Sequence, residues 1–416
     1  MPNTKIITEY WGKIDPLKIE DYIAVGGYQA LEKFVAGRDA KAALEEIKKS
    51  GLCGRGGAGF PTGSKLGMVA GAKNKVRYFI CNVDESEPGT YKDREIVDNN
   101  PHLLLEGIAI TSLIIGAKKA FIYLNGNYRK EEEILEKALE QAKEKKFWGG
   151  KILKSGYKLD IEIFSGAGAY ICGEETALLN SIEGKRGEPR MRPPYPTEKG
   201  LFGKPTAVNN AETVANIPWI ILNGGERYSQ IDPKKSPGTK LYILGGAVKN
   251  CGVIEASLGI TLRELIFELG GGMARGKEFW FAQIGGASGR LATVKDLDII
   301  LSYDRAAEFP LGSGAVLVVD KTTEIQDLLL SWASFFRRES CGKCVPCREG
   351  TFRLWEIAKR MQDGEISDRD KEALDDILWT LDNTCFCPLG KFAAVAFKDA
   401  LKNFSKEIYK NAINNQ

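Results

Sequence analysis

The spacing of apolar and polar residues predicts strands that alternate with helices over roughly the first 225 residues. Helical periodicity covers residues 39–50, 101–116 and 130–146, and short apolar runs suited to strands cover residues 76–81, 120–124 and 158–164. Gly51 is placed to cap the first helix, and Pro101 opens the second. Such alternation is typical of an α/β layered domain.

The pattern changes in the segment that contains Pro233, Pro237 and Gly238. Short β-like runs at 241–248, 277–286 and 315–320 surround one predicted helix at 261–270, which suits a small α+β domain. Amphipathic segments follow at 325–340, 348–364, 368–383 and 391–404, and their short joints are typical of a helical bundle. We therefore predict three domains, at 1–232, 233–322 and 323–416.

Three cysteines stand at three-residue steps in a connection of the predicted bundle. They are Cys341, Cys344 and Cys347, and Cys387 lies 40 residues after the last of them. A compact Cys-x-x-Cys-x-x-Cys run with one remote cysteine is the ligand pattern of a 4Fe-4S cluster, whose chemistry moves one electron at a time. Zinc is the alternative, but all-cysteine zinc sites usually come as two separated pairs.

Cys385 is a second candidate for the fourth ligand, since it stands two residues before Cys387. We prefer Cys387, because the Pro-Leu-Gly that follows it forms a tight turn able to present a sulfur and backbone N–H groups. The cysteine total is nine, an odd number far below the density of a disulfide scaffold, and no secretory signal pattern opens the chain. These features predict a reducing, cytoplasmic setting, with a peripheral position on a membrane complex left open.

Charge and hydropathy exclude some partners. The chain has 58 Lys and Arg against 55 Asp and Glu, a net charge of +3 that gives no case for nucleic acid or for an anionic membrane. The longest apolar stretch, residues 108–117, is too short for a membrane span, so we expect no direct membrane insertion. Glycine is in excess, and its concentration in loops suggests backbone that approaches a ligand closely.

One glycine-rich loop, residues 51–65, contains a G-x-G-x-x-G match at 54–59. The dinucleotide fingerprint should follow a strand and open a helix, whereas here a helix precedes the match and residues 60–63 read as more loop. The segment still suits a phosphate cradle, because glycines expose backbone N–H groups and Arg55 and Lys65 can supply charge. A purely structural turn is the alternative.

An acidic turn follows the first predicted strand, where α/β proteins gather ligands. Residues 82–87 place carboxylates at Asp84, Glu85 and Glu87 beside Asn82, and could accept hydrogen bonds from ribityl or ribose hydroxyls. The alternative is an acidic loop that faces solvent and binds no ligand. Residues 166–175 form a second patch of glycines and acids before a helix. The single histidine, His102, cannot build a metal site alone, and we assign it a structural role.

Five segments, at 51–65, 81–94, 166–179, 192–216 and 339–351, together resemble the NADH-binding flavoprotein subunit of respiratory complex I. The same family includes the diaphorase-like flavin subunits of NAD-linked hydrogenases and formate dehydrogenases. The resemblance implies an α/β, variant Rossmann-like domain for FMN and NADH, a ubiquitin-like (SLBB) middle domain, and a C-terminal four-helix bundle with the 4Fe-4S cluster.

The resemblance also implies roles for individual residues. The FMN phosphate and NADH site would be lined by Gly54, Arg55, Gly56, Gly57, Ala58 and Lys65. The flavin would be held by Asn82, Asp84, Tyr170, Gly173, Asn209 and Asn210, with Glu85 in the same cofactor-binding turn. Glu87, Glu174 and Glu175 would face the nucleotide, and Phe60 and Tyr195 would stack on its rings. A helix N-cap is a compatible second role for Asn209 and Asn210.

The implied reaction is hydride transfer between NAD(H) and FMN, followed by single-electron transfer through the cluster to a partner subunit. No side chain need act as acid or base, and Glu87 would support the reaction. Acidic groups near the adenine ribose favour NAD over NADP. The implied partners are a 2Fe-2S thioredoxin-like subunit and further redox subunits. Two alternatives remain: the flavin subunit of an electron-bifurcating complex, and a zinc-stabilised nucleotide-binding module without turnover.

Overall fold

The N-terminal region is built on a parallel sheet of four strands. A computed structural model describes residues 4–231, 236–304 and 307–410. The strands are β1 (Tyr78–Val83), β2 (Lys119–Leu124), β3 (Asp160–Ser165) and β4 (Thr206–Asn210), in the order β3-β2-β1-β4. Val83 pairs with Leu124, and Leu124 pairs with Ser165, so three strands end level with one another. Their carboxyl ends therefore form one edge of the sheet, which is where parallel sheets bind ligands.

Helices cover this sheet, and the fold class predicted from the sequence is confirmed. They are α1 (Ile19–Ala24), α2 (Gln29–Gly37), α3 (Ala40–Lys49), α4 (Thr62–Ala70), α5 (Lys92–Asn99), α6 (Pro101–Ile115), α7 (Arg129–Glu144), α8 (Glu175–Ile182), α9 (Pro196–Lys199), α10 (Ala211–Ala215), α11 (Ile217–Asn223) and α12 (Gly225–Ser229). Every residue of α6 is buried, because its side chains are apolar on almost all sides. The Asn100 side chain caps its first turn, and Gly116 ends it at φ 72°.

Two predictions near the sheet were wrong. The loop predicted through residues 60–63 ends earlier, because Thr62 and Gly63 begin α4. No strand was predicted at 206–210, where β4 pairs with β1. Two asparagines end β4, and asparagine is depleted in strands, so local propensity hid a strand that tertiary pairing stabilises.

A second sheet of five strands follows. Its strands are β5 (Thr239–Gly246), β6 (Gly252–Ser257), β7 (Phe279–Ile284), β8 (Arg290–Thr293) and β9 (Ala315–Asp320), in the order β6-β5-β9-β7-β8. The β5–β9 pair is parallel and the other pairs are antiparallel. The helix predicted at 261–270 forms as a π-helix, Glu264–Leu269. The boundary predicted between residues 232 and 233 lies outside the described residues.

The C-terminal region is a bundle of helices α13 (Ile325–Glu339), α14 (Val345–Asp363), α15 (Asp368–Thr384) and α16 (Pro388–Ile408). Their buried apolar faces meet in a core that includes Leu354, Leu378 and Phe397. The connections α13–α14 and α15–α16 lie at the same end of this antiparallel bundle, so the cysteines of both are brought together there. No helix in the described ranges combines the length and the apolar character that a bilayer span requires.

His102 is buried at the start of α6, in keeping with the structural role assigned to it. Its ring nitrogens contact the Tyr28 hydroxyl at 3.0 Å and the Gln141 side chain at 3.1 Å. Burial lowers the pKa of His102 to about 4. The imidazole is therefore neutral in the folded chain over a pH range in which the unfolded chain protonates it.

This shift predicts an acid-dependent loss of stability. Because the folded pKa lies below the unfolded one, the contribution of His102 is present above the unfolded value and is lost as the pH falls. Between pH 7 and pH 5 it should reduce the free energy of unfolding by about 2 kcal/mol. Urea unfolding of the wild type and His102→Gln at both pH values checks this. The stability gap between the two proteins should narrow at pH 5, and a constant gap would contradict the assignment.

Candidate functional site

The strand order reverses at β1, and the switch point at the carboxyl ends of β1 and β4 is where open α/β sheets form a ligand crevice. From β1 the chain winds outward to β2 and β3, then returns to form β4 on the other side of β1. Ligands of open α/β sheets bind at such a switch point. Asn82 and Asn210 lie opposite each other there, and Asn209 pairs with Cys81 one step earlier.

The glycine-rich loop lies against this crevice. The Gly54 N–H donates to the Phe60 carbonyl at 2.9 Å and so closes the loop on itself. A Cβ atom added to Gly56 would stand 3.0 Å from the Asn210 Cβ, and Gly57 has a φ of 129°. Gly56 therefore allows a close approach to Asn210, and Gly57 has a backbone conformation that other residues rarely adopt. The loop thus meets the end of β4, although a helix rather than a strand precedes it.

Arg55 does not present its charge at this loop, which corrects the sequence-based expectation for its side chain. The residue is 0% exposed. Its guanidinium donates to the carbonyls of Thr239 and Pro237 at 3.2 and 2.9 Å and to the Tyr228 hydroxyl at 3.2 Å. A guanidinium cannot give up its proton inside a protein, so it is stabilised by internal acceptors instead. Arg55 therefore ties the loop to the second sheet.

Lys65 brings several of the predicted residues together beside the loop. Its ammonium group lies 3.2 Å from a Glu175 carboxylate oxygen, donates to the Val208 carbonyl at 3.0 Å, and stands 5.9 Å from the centre of the Phe60 ring. Arg192 contacts the other Glu175 oxygen at 3.3 Å. Arg192 was not among the predicted site residues, although it begins one of the five family-like segments.

Tyr195 and Glu174 border the same area. Tyr195 precedes α9, which packs on α4, and the residue is 53% exposed. Glu174 caps α8: one of its oxygens accepts the Thr176 and Ala177 N–H groups at 3.0 and 2.9 Å. The other oxygen is 3.7 Å from Arg192. An exposed tyrosine, two cations and two carboxylates thus lie on α4, at the start of α8 and in the segment that leads into α9.

Two buried polar atoms at the carboxyl ends of β1 and β4 lack hydrogen-bond partners. Asp84 Oδ2 and Asn209 Oδ1 are both buried without a hydrogen-bond partner. Burial raises the pKa of Asp84 to about 7. The Asn82 side chain donates to the Gly173 carbonyl at 3.1 Å, which attaches the second glycine patch to β1. Because unpaired buried polar atoms are costly, these two fit a site completed by a polar ligand such as FMN.

Glu85 turns away from the crevice, which corrects its predicted place among the ligand-facing acids. Its carboxylate accepts the N–H groups of Asp93 and Arg94 at 2.9 and 3.1 Å, at the start of α5. Burial, reinforced by the charge of Asp93, raises the pKa of Glu85. Glu85 therefore anchors α5, since the orphan N–H groups of a first helical turn attract carboxylates.

Asn210 is held by a buried ionic network that sequence reasoning missed. Its Oδ1 accepts from the Glu212 N–H at 3.1 Å, which caps α10, and from Lys92 at 3.0 Å. Lys92 and Lys240 reach one Glu212 carboxylate oxygen at 3.3 and 2.6 Å, and all three charged side chains are buried. Scattered single Lys and Glu residues carry no sequence signal of such a network. The N-cap alternative is confirmed for Asn210.

Glu87, which follows β1, is linked directly to the second sheet and, through Tyr170, to the helical bundle. It accepts the Ser288 N–H at 3.1 Å and a hydrogen bond from the Tyr170 hydroxyl. Burial raises the pKa of Glu87. The Tyr170 N–H in turn donates to Glu339 at 2.9 Å, at the end of α13. Tyr170 therefore lies between the crevice and the helical bundle.

The four predicted cluster ligands line one cavity at the end of the bundle. Its walls include Cys341, Cys344, Cys347 and Cys387. Across the described ranges, no three His, Cys, Asp or Glu side chains stand close enough to share a single ion. Four thiols around one cavity fit a multi-atom cluster, which spans more space than one ion.

Cys385 does not line that cavity. It lies behind the first turn of α16, where a Cβ atom on Gly390 would come within 2.3 Å of its sulfur. Cys385 is hydrogen-bonded to Cys347, and Ser340 Oγ lies 3.2 Å from the same Cys347 sulfur. This arrangement favours Cys387 as the fourth ligand and gives Cys385 a supporting place behind Cys347.

One short 3₁₀ turn, Tyr170–Gly173, joins the crevice to the thiol cavity. Tyr170 contacts Glu87, and the Gly173 carbonyl accepts from Asn82, so the two ends of the turn touch the crevice. Ile171, between them, lines the thiol cavity. The two sites are therefore neighbours that share one wall.

Comparison with known proteins gives two family matches. The Nuo51 FMN-binding domain matches residues 47–219, and the NADH-ubiquinone oxidoreductase-F iron-sulfur binding region matches residues 327–411. The second match covers all four cavity cysteines and overturns the zinc alternative.

Similar proteins cover almost the whole chain. The F subunit of NADH-quinone oxidoreductase from Aquifex aeolicus (strain VF5) is 45% identical over 392 residues, which is 94% of this chain and 90% of that protein. The HndC subunit of the NADP-reducing hydrogenase from Solidesulfovibrio fructosivorans is 42% identical over 409 residues, 97% of this chain and 82% of that protein. In the crystal structure of an H2-reduced NAD+-reducing [NiFe]-hydrogenase, one chain is similar with a TM-score of 0.85 and 31% identity, covering 98% of this chain and 67% of that one.

Proposed function

This chain belongs to the family of the NADH-quinone oxidoreductase F subunits, and we propose from that premise which of its residues serve each cofactor. It is an NADH-oxidising oxidoreductase subunit that binds FMN and a 4Fe-4S cluster, and it is one chain of a multi-subunit redox complex. When bound, FMN would supply two-electron hydride chemistry with NADH, and the cluster would supply one-electron transfer. The chain's own residues bind, orient and shield these groups.

The FMN site is proposed at the switch point between β1 and β4. The glycine-rich loop supplies backbone at Gly54, Arg55, Gly56, Gly57 and Ala58, where glycine conformations leave room for a phosphate. Asp84 and Asn209 complete their unpaired hydrogen bonding with the bound ligand. The remaining proposed contacts are Asn82, Tyr170, Gly173 and Asn210. Arg55 and Glu85 are retained as supports that hold the loop and α5 in place.

The nucleotide is proposed to enter through the mouth formed by α4, α8 and α9. Phe60 and Tyr195 offer rings for stacking, and Lys65 offers a positive charge beside them. Glu175 is paired with Lys65 and Arg192, and Glu174 Oε1 is buried without a hydrogen-bond partner 3.7 Å from Arg192, so both carboxylates can accept hydrogen bonds from ribose hydroxyls. Carboxylates beside the adenine ribose disfavour a 2′-phosphate, so we propose NAD rather than NADP as the substrate.

The bundle is proposed to hold the cluster through Cys341, Cys344, Cys347 and Cys387, and a partner with a 2Fe-2S thioredoxin-like domain is proposed as the electron acceptor. The domain limits 1–232, 233–322 and 323–416, and a cytoplasmic position peripheral to the complex, belong to the same proposal. No observation on the described residues favours the electron-bifurcating alternative over this function.

A single structural relation supports this assignment most strongly: the Tyr170–Gly173 turn separates a crevice with unpaired polar atoms from a cavity with four thiols. The test is isolation of the native complex, with its subunits identified and iron, sulfide and flavin determined for each. We expect FMN and four irons on this chain and a 2Fe-2S chain beside it. A complex in which this chain lacks flavin would contradict the proposal.

Neutralising the Glu87 carboxylate should change NADH binding without changing FMN binding. We expect Glu87→Gln to change the KM for NADH, because a carboxylate beside the nucleotide becomes neutral, while FMN remains bound. Loss of one hydrogen bond to a charged group, about 1.5 kcal/mol or more, predicts a change of about tenfold. The measurements are NADH kinetics with ferricyanide as acceptor and flavin content by absorbance. Unchanged kinetics would count against this placement of Glu87.

A further inference from the structure

The loop at residues 285–289, between β7 and β8, reaches the Glu87 carboxylate although it belongs to the second sheet. Its Ser288 N–H donates to Glu87 Oε1 at 3.1 Å. Gly286 comes closer still: a Cβ atom added there would stand 2.5 Å from Glu87 Cγ and 2.6 Å from Oε1. The carboxylate is therefore confined between this loop and Tyr170, with no space for a side chain at position 286.

The loop is fixed from within the second sheet. Gln283 is buried, and its side-chain amide donates to the carbonyls of Ala287 and Gly289 at 3.3 and 3.5 Å. The Gly289 N–H donates to the Gly286 carbonyl at 2.9 Å, and the Gly285 N–H donates to Ala315 on β9 at 2.7 Å. A polar side chain in the sheet interior thus holds the loop that Glu87 rests on.

The same corner of the second sheet also meets the glycine-rich loop. Gly285 packs against Gly312, where a Cβ atom on Gly312 would stand 2.7 Å from the Gly285 Cα. On the other side, a Cβ atom on Gly57 would stand 3.7 Å from the Gly312 carbonyl carbon. The contact with Glu87 is therefore part of a continuous packing of glycine backbone around the crevice.

We infer that the 285–289 loop is a positioning element of the nucleotide site, which orients the Glu87 carboxylate toward bound NAD(H). This inference rests on the proposed location of Glu87 beside the nucleotide. The second sheet then acts on nucleotide binding through one hydrogen bond and one steric contact. Gly286 is a positioning residue: it touches Glu87 and acts on the nucleotide only through it.

The test is Gly286→Ala in the full chain loaded with FMN and the cluster, with NAD+ binding measured by calorimetry. The methyl group displaces Glu87, so we expect the Kd for NAD+ to change by about fivefold, the effect of one ordinary hydrogen bond. Flavin content should be unchanged. Gly276→Ala is the matched control, because Gly276 has a φ of 77° against 84° at Gly286 but no atom within 4 Å of its added Cβ. It should leave the Kd unchanged.

A double-mutant cycle identifies the route of the effect. If Gly286 acts through Glu87, Gly286→Ala should not alter the Kd further in a Glu87→Ala background. An equal effect in both backgrounds, or none in the wild type, would overturn the inference while leaving the nucleotide role of Glu87 intact. A Glu87→Ala variant that binds NAD+ normally would overturn both.

A second variant tests the same inference if Gly286→Ala does not fold. Gln283→Met keeps the side-chain volume and removes the amide that holds the loop, so it should move the Kd in the same direction by a smaller factor. This change should also vanish in the Glu87→Ala background. A Gln283→Met protein with wild-type NAD+ affinity would count against the positioning role of the loop.

Discussion

Cys387→Ser should abolish the 4Fe-4S cluster, whereas Cys385→Ser should retain it. Cys387 lines the thiol cavity with Cys341, Cys344 and Cys347, and Cys385 lies outside it. A cluster held by three thiolates and a weaker hydroxyl donor is expected to be lost on purification, because thiolates are the ligands that iron–sulfur clusters prefer. The measurements are iron and sulfide content and the broad visible absorption after anaerobic reconstitution.

The Cys385 thiol should instead affect the reduction potential of the cluster. Cys385 is hydrogen-bonded to the Cys347 sulfur, and donors to cluster sulfurs stabilise the more negative, reduced state. Removal of a hydrogen bond worth about 1 kcal/mol corresponds to about 40 mV for one electron, so Cys385→Ala should have a more negative potential by that amount. Redox titration followed by electron paramagnetic resonance measures it. Loss of iron from the Cys385 variants, with retention in Cys387→Ser, would reverse the ligand assignment.

Asn209→Leu should lose FMN without losing stability of the apo chain. Asn209 Oδ1 is buried without a partner, so the free protein bears an unsatisfied acceptor that an apolar side chain of similar shape would remove. We expect the FMN dissociation constant to rise at least about fivefold, since a buried ligand group then lacks its acceptor at a cost of about 1–3 kcal/mol. The thermal midpoint of the apo chain should be no lower than that of the wild type.

Fluorescence titration with FMN and thermal unfolding of the apo chain measure these two effects separately. Asn223→Leu on α11 is the control, because that side chain bonds to the Trp219 carbonyl away from the crevice. It should bind FMN normally. An Asn209→Leu chain that binds FMN as tightly as the wild type would remove Asn209 from the site. A strongly destabilised apo chain would instead give Asn209 a structural role.

Much of this architecture could be predicted because strong local signals agree with the tertiary structure. The apolar helix at Pro101–Ile115 has a proline at its start and a glycine after its end, and it forms where those signals place it. The spacing of Cys341, Cys344 and Cys347 needs only one helix start and a short loop to bring three sulfurs to one cavity. Local geometry and chemistry therefore coincide at this site.

The parts that could not be predicted depend on distant contacts. Arg55 looks like a phosphate ligand in sequence, because a cation in a glycine-rich loop usually serves one. Only the fold reveals that the Thr239 and Pro237 carbonyls and Tyr228 surround it. Glu85 likewise looks exposed in an acidic turn until α5 folds over it. Sequence patterns identify which residues cluster along the chain, but not which way each buried side chain points.

The central claim is that a two-electron flavin site and a one-electron cluster site share this chain, and anaerobic titration with NADH tests it most directly. The purified chain is reconstituted with FMN, iron and sulfide, then titrated while flavin absorption and the electron paramagnetic resonance of the cluster are recorded. We predict bleaching of the flavin bands together with the appearance of a reduced-cluster signal. A reconstituted chain that stays colourless, or a coloured one that NADH does not bleach, would contradict the account.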